Sequence, residues 1–350
     1  MVRITGILLV FILCWPVAGR SAVLTGLYQA EVLVPDQSDT SQKEGVANAL
    51  LNVLIKLTGD RKVQDRAGVA NLLQHPEQYV QQYQFHKKPV IVNNQLTLDE
   101  QLYLWVFFNS DILDKAMQNI NLPQWGSIRP VTLLWLVTQL GQDRKFISLE
   151  DELGYAAVID GRAQQRGIPV VYPLLDSEDS QMVKETDVIG GILDPFRKAS
   201  QRYATDVVVI GTLSNVSATS WEGRWTMLLD NEPVTWSVKG ANAEQALYSG
   251  IDRLADELAS RFVHATAKAG ESGVEIEVKD IDDFDQYSKV LKYLRTLNSV
   301  VSVDIKAVEP GSVTYSVIAT GGEFAVVRAI ELGKTLKSLG ESGSPYRLLH

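Results

Sequence analysis

The sequence predicts an α/β and α+β chain of several units, with a mixed-sheet central domain and a ferredoxin-like C-terminal domain. Three observations carry this. Continuous apolar runs, PVTLLWLVT at 130–138 and DVVVIGTLSNV at 206–216, are what strands covered on both faces require. They are interleaved with stretches whose apolar residues recur at helical spacing. Beyond the small-residue linker ATAKAGESG at 265–273, the pattern changes to strict alternation, as in VEIEVKDI at 274–281.

Units are expected at 23–128, 129–264 and 271–350, after a signal peptide at 1–19. In the first, LTGLYQAEVLVP alternates and reads as a strand. SQKEGVANALLNVLIKL follows, with Val46, Leu50, Val53, Leu54 and Leu57 on one helical face. Ser41 and Glu44 form a capping-box pattern at its start. Thr58, Gly59, Asp60 and Arg61 resemble a reactive loop, yet a helix end explains all four. Gly59 follows the last apolar turn, and Lys56, Arg61 and Lys62 sit by the negative end of the helix dipole. After HPEQYVQQYQF, the run QLYLWVFFN at 101–109 reads as a buried strand.

In the second unit, PVTLLWLVT leads to a helix at 149–166 closed by Gly167. IPVVYPLL is a strand, an acidic loop spans 176–187, and a helix occupies 193–203. A third buried strand at 206–216 precedes a hairpin of GRWTMLLD and PVTWSVKG, joined by Asn231 and Glu232. A long helix at 243–262 ends the unit. In the third unit, Tyr287, Val290, Leu291 and Leu294 mark one helix, and Phe324, Val327 and Ile330 another. VVSVDIKAV and SVTYSVIAT flank the turn Glu309-Pro310-Gly311, and YRLL supplies a last strand. The order is β-α-β-β-α-β.

The first residues carry one base, Arg3, then an apolar run from Ile7 to Val17, then small residues. This is a secretory signal cut after Gly19. The run is shorter than the roughly 20 residues of a membrane span, and Pro16 interrupts it. The alternative is an uncleaved inner-membrane anchor. The only cysteine, Cys14, lies inside this segment, so the exported chain has no disulfide, no cysteine nucleophile and no thiolate ligand. The formal net charge of −9 becomes one unit more acidic once Arg3 is lost. Without a basic cluster, that balance excludes nucleic acid as a partner.

Most motif-like strings fail. LGKT at 332–335 lacks the upstream glycine of a phosphate loop, where Arg328 stands. DIDDFD at 280–285 has Asp285 and Leu291 where a calcium loop needs glycine and glutamate, and it reads as a helix start. His75, His86, His264 and His350 show no ligand spacing, and the two GESG strings are linkers. No cofactor is called for. Asp176, Glu178 and Asp179 in the acidic loop are the strongest candidates for a site. They follow a strand expected to be parallel and central, beyond whose end ligands often bind, and they offer carboxylates for a cation or polar ligand. A solvated surface loop is the bland alternative. Trp225 and Trp236 suit a core or a cross-strand pair, while Trp221, near a loop, could anchor a partner.

Taken together, VLIKLTGDRKV, LPQWGSIRPVTLLWLV, GIPVVYPLLDSED, RYATDVVVIGTL and GIDRLADELASRF resemble the family known as domain of unknown function 2066, found in exported proteobacterial proteins, over residues 28–262. The resemblance implies a secreted or periplasmic protein and transfers no catalytic residues. The central unit is also topologically similar to the TolB N-terminal domain and to outer-membrane activators of peptidoglycan synthases, which implies binding to envelope partners. The expectation is a non-enzymatic periplasmic accessory or scaffold protein. The alternatives are a metal-dependent hydrolase or a small-ligand binder centred on Asp176.

Overall fold

The structure, a computed structural model, describes residues 24–349 apart from 25, 93–94, 126–128, 152, 204, 230–231, 264–271, 298–299, 320–321, 334 and 341–342. The expected signal at 1–19, His264, His350, Asn231 and most of the 265–273 linker lie outside the described residues.

The chain opens with β1 (Gln29–Leu33), α1 (Asp39–Thr58), α2 (Val69–Gln74), β2 (Val80–Val92), β3 (Gln95–Phe108) and α3 (Ser110–Asn119). The three strands form an antiparallel sheet in the order β1-β3-β2. Helix α1 lies on one face, where Leu50, Val53 and Leu54 meet Leu104, Val106 and Phe108. The helix starts earlier than the 41/44 pattern suggests. Ser38 is the N-cap and accepts from the Ser41 N–H, while Asp36 fixes Ser38 by accepting from its N–H and hydroxyl. Strand β3 is buried on one face only: Tyr103, Trp105 and Phe107 alternate out of the core. Its long partner β2 escapes the sequence because its outward residues are glutamine, histidine and lysine.

The middle of the chain supplies β4 (Thr132–Leu140), β5 (Asp143–Phe146), α4 (Tyr155–Arg166), β6 (Val170–Val171), α5 (Ser177–Met182), α6 (Glu185–Gly190), α7 (Asp194–Ser200), β7 (Val207–Ser217), β8 (Ser220–Leu229), β9 (Glu232–Gly240) and α8 (Ala243–Phe262). The mixed six-stranded sheet runs β5-β4-β7-β8-β9, with β6 against β4. Strands β4 and β7 are parallel and buried on both sides, which is why their sequences read as unbroken apolar runs. Leu134 and Leu136 face α4 and α8, whereas Leu133, Trp135 and Val137 face α5 to α7.

Four expectations need correction here. IPVVYPLL contributes only the two-residue β6 at the start of β4, because Pro169 and Pro173 bracket it and cannot donate to a ladder. The strand before Asp176 is therefore peripheral. The acidic loop is instead two short helices, α5 and α6. The 149–166 helix begins only at Tyr155, whose N–H is accepted by Asp151, after Gly154 in the left-handed region. The β4–β5 hairpin was not foreseen, since DRKF has no apolar alternation. By contrast, α8 occupies the expected 243–262.

The last part comprises β10 (Ser272–Ile281), α9 (Phe284–Thr296), β11 (Val300–Glu309), β12 (Gly311–Ala319), α10 (Gly322–Gly333), β13 (Leu336–Gly340) and β14 (Gly343–Leu348), with sheet order β11-β12-β10-β14-β13. The predicted β-α-β-β-α order holds. The single final strand is replaced by a hairpin, so that β14 runs parallel to β10. Asp283 caps α9 by accepting from Gln286, which agrees with the reading of DIDDFD as a helix start. Leu332 of α10 packs against the central core. Among the described residues no helix is long and apolar enough to cross a membrane.

Helix α8 seats on β8 through Gly250, where a Cβ would overlap the Trp225 ring. Gly250→Ala gains about 1 kcal/mol of helix propensity but overpacks the α8–sheet layer. We expect a net loss of about 1–3 kcal/mol in urea unfolding. A stabilised variant would mean that α8 stands further from the sheet.

Candidate functional site

Helix α1 ends inside the protein, so its orphan carbonyls need partners there. Gly59, at φ 71°, returns its N–H to Ile55 O, and the Thr58 hydroxyl donates to Leu54 O at 2.7 Å. The remaining acceptors are taken from beyond the first sheet. The Trp125 N–H donates to Leu57 O at 2.5 Å, Arg129 to Lys56 O at 2.6 Å, and Arg166 to Gly59 O at 2.9 Å.

Helix α4 ends the same way, at Gly167 with φ 65°. Arg129 is fully buried, donates to Gly167 O at 2.6 Å, and lies 4.2 Å over the Trp125 ring. It thus clamps the C-termini of α1 and α4 together. Burial pulls its pKa down to about 9, so the guanidinium stays charged at neutral pH. The two negative helix ends favour that charge.

A second layer completes the junction. Arg166 is almost wholly buried and pairs with Asp252 and Asp256 of α8, each at 2.8 Å. Arg162 grips Asp252 with two hydrogen bonds, at 2.9 and 2.7 Å. Arg61, from the 58–61 turn, reaches Asp256 at 2.6 Å and Asp252 at 3.4 Å. Burial works to raise the pKa of Asp252, but its bonds to Arg162 and Arg166 outweigh that and hold it low. Asp60 is likewise partly buried, yet the Lys62 N–H and Arg66 keep its carboxyl low.

Over this junction lies an open groove of about 620 Å³, within the roughly 300–1,000 Å³ of small-ligand sites. Leu122, Pro123, Ala259 and Val263 give it an apolar floor. Arg61, Lys62 and Arg66 stand on its rim, beside Asp60 and Asp256. Arg61 and Arg66 are committed to carboxylates. Among the described residues, the Lys62 ammonium has no carboxylate partner. The geometry suits an apolar segment that carries an acid.

The residues singled out from sequence lie elsewhere. Asp176 caps α5, accepting from the Glu178 and Asp179 N–H groups, and takes a two-pronged contact from Arg202 at 2.9 and 2.7 Å. Arg202 holds its carboxyl well below the usual range. Asp179 is buried and accepts from the Leu175 N–H, Arg202 and the Tyr203 hydroxyl. Glu178 is exposed, 3.5 Å from Arg202. These contacts hold α5 to the turn after α7. Trp221 is half-buried on the α4–α8 side, edge-on to Tyr155 at 6.4 Å. Trp225 and Trp236 form the cross-strand stack, 6.2 Å apart. Among the described residues no group of three His, Cys, Asp or Glu could hold a metal ion.

Sequence reasoning missed Arg129, Arg162, Arg166, Asp252 and Asp256. A signal existed: Arg162 and Arg166 are one helical turn apart, as are Asp252 and Asp256, so each predicted helix carried a matching pair of like charges. Like charges at that spacing repel unless another element supplies the opposite pair.

A family profile described as a domain of unknown function, DUF8605, matches residues 22–126. It is a different family from the domain of unknown function 2066 expected from the sequence over 28–262, which no match supports. No curated protein matches the chain. Among solved structures, the LpoB C-terminal domain from Salmonella enterica is similar at 16% identity, over 38% of this chain and 93% of that one, with a TM-score of 0.24. Lipoprotein GNA1162 from Neisseria meningitidis is similar at 12% identity, over 38% of this chain and 99% of that one, with a TM-score of 0.21. Scores at this level establish neither a shared fold nor a shared function.

Two outcomes test the junction. Gly59→Ala must strain a left-handed residue, at about 1 kcal/mol, and also press a Cβ onto Ala259 of α8. Gly141→Ala has the same φ problem, at 64°, with nothing within 4 Å. Gly59→Ala should therefore lose clearly more stability in denaturant titrations than Gly141→Ala; equal losses would mean that α1 and α8 do not meet closely. The second test uses Lys56, buried under β1 with its ammonium on Gln29 O at 2.7 Å. Burial, then Arg129, lowers its pKa from 10.5 to about 8. Between those values the unfolded chain binds more protons, so this residue makes stability rise with pH. Compared with Lys56→Met, the native protein should gain about 1–2 kcal/mol between about pH 7 and pH 9.5. Parallel pH profiles would place Lys56 in water.

Proposed function

We propose that this is a non-enzymatic, exported protein of the cell envelope that binds another envelope protein in the groove over the α1–α8 junction. One observation carries the reading: the groove is built jointly by the end of α1 and by α8, with an apolar floor and a cation free to pair at its rim. A bound segment there would be held by two parts of the chain at once, as suits an accessory or scaffold role. Its chemistry would be an apolar stretch bearing a carboxylate, seated with the acid on Lys62. The resemblance to domain of unknown function 2066, and cleavage after Gly19 with release into the periplasm, belong to the same proposal. The rival site at Asp176, Glu178 and Asp179 would have to release Arg202 before its carboxylates could act on a ligand.

The test is site-specific photocrosslinking in intact cells. A photoreactive residue at Ser260 or Val263 should give a discrete adduct in the periplasmic fraction. The same residue at Gly141, on the β4–β5 turn, should give none. Adducts at Gly141 but not at Ser260 or Val263 would move the partner surface away from the groove.

A further inference from the structure

Among the described residues, no other element packs on the outer face of the N-terminal sheet, opposite α1. On its central strand β3, Tyr103, Trp105 and Phe107 point away from the core, half-buried, and none of the three belongs to a hydrophobic cluster of the fold. The pairing register places β1 and β2 residues beside them on the same face. Gln29 and Gln82 flank Phe107, Glu31 and Gln84 flank Trp105, and Leu33 and His86 flank Tyr103. Lys88 sits opposite Gln101 at the far end. The rings form a row: Trp105 and Phe107 stack at 6.2 Å, and His86 stacks on Tyr103 at 6.1 Å.

Charge on this face cancels. Glu31 pairs with Lys88 and lies 2.5 Å from His86 Nε2. His86 and the Lys88 ammonium, 5.1 Å from the ring centre, cover Tyr103, whose hydroxyl donates to Gln101 Oε1 at 3.1 Å. What remains for an occupant is the aromatic carbon of Trp105 and Phe107, bordered by the amides of Gln29, Gln82 and Gln84, which donate and accept hydrogen bonds equally. The complementary surface is uncharged, with apolar C–H patches ringed by hydroxyl or amide groups.

Size narrows the choice further. Three strands about 4.8 Å apart, over about seven residues at about 3.4 Å each, give a three-stranded face of roughly 300 Å², beyond which β2 and β3 continue as a two-stranded ribbon. A stable protein partner needs about 800 Å² per side. The free edge of β2 is also guarded against added strands by Lys87, Lys88 and Pro89. A narrow linear ligand fits; a second folded copy does not. We propose that this face is a binding platform for a neutral glycan chain, whose pyranose C–H faces lie on Trp105 and Phe107 and whose hydroxyls meet the flanking glutamines. It is a separate site from the groove.

The experiment is isothermal titration calorimetry of the purified protein with cellohexaose, chitohexaose and laminarihexaose at up to millimolar concentration. At least one should bind saturably, with an affinity indifferent to salt because no charge is neutralised. Trp105→Ala should weaken it by roughly tenfold, the order expected for one lost aromatic contact. Gln84→Ala, at an exposed position that folding does not need, should weaken it by roughly threefold to tenfold. Groove crosslinks from Ser260 should be unchanged in both variants. No binding of any of the three sugars by folded protein would overturn the proposal. So would binding that survives both substitutions, or a dimer in sedimentation that Trp105→Ala dissolves, which would assign the face to self-association.

Discussion

Two helices, α1 and α4, end head-on in the interior, and one buried arginine holds both ends. Helix C-termini ordinarily face water because their last carbonyls lack partners. Here Arg129 takes Lys56 O and Gly167 O, and Arg166 takes Gly59 O. Each guanidinium needs a left-handed glycine to let the chain turn away. At Gly167 any Cβ would stand 2.6 Å from Arg129. The geometry leaves little freedom: a lysine in place of Arg129 could not span two helix ends with a planar fork.

The same junction explains why the first sheet and the central sheet behave as neighbours rather than as beads on a string. The carboxylates of Asp252 and Asp256 on α8 are shared among Arg61, Arg162 and Arg166. The buried Arg166–Asp252 pair adds little net stability compared with apolar packing, yet removing one member costs roughly 3–5 kcal/mol because the other is stranded. The effect of these shared pairs is to fix register. α8 must present both aspartates to α4 and to the 58–61 turn at once, and that requirement sets how α1 meets the sheet. The groove exists because this meeting is polar below and apolar above.

Groove and aromatic face illustrate two ways of leaving a surface open. In the groove, Arg61 and Arg66 are already paired and Lys62 is not, so recognition there is electrostatic and local. On the outer face of the first sheet the charges cancel, and recognition falls to ring faces and amides. The acidic segment at 176–179 belongs to neither kind. Its carboxylates are consumed by a helix cap, by Arg202 and by Tyr203, and the arrangement holds α5 in place.

Local rules legible in the residues were enough for much of the fold. Apolar runs on β4 and β7 revealed burial on both faces, helical spacing located α1 and α8, and strict alternation marked β10 to β12. Gly59 and Gly167 were readable as helix ends, because only the local chain decides where a left-handed residue is needed. Strands β2 and β5 were hidden, since an exposed or edge strand has no burial to impose alternation. The fate of a carboxylate was hidden too: Asp176 and Asp252 look alike in sequence, and their roles depend on which arginine arrives from 26 or 90 residues away. Sequence alone determined where α1, α8, β4, β7 and β10 to β12 would form and which of their faces would be apolar, because those follow from neighbours along the chain. Only the tertiary structure decided that the TGDR turn is a docking point for α8 and that, among the described residues, nothing packs on Trp105 and Phe107 of β3 from outside the sheet, because both depend on which distant segments meet there.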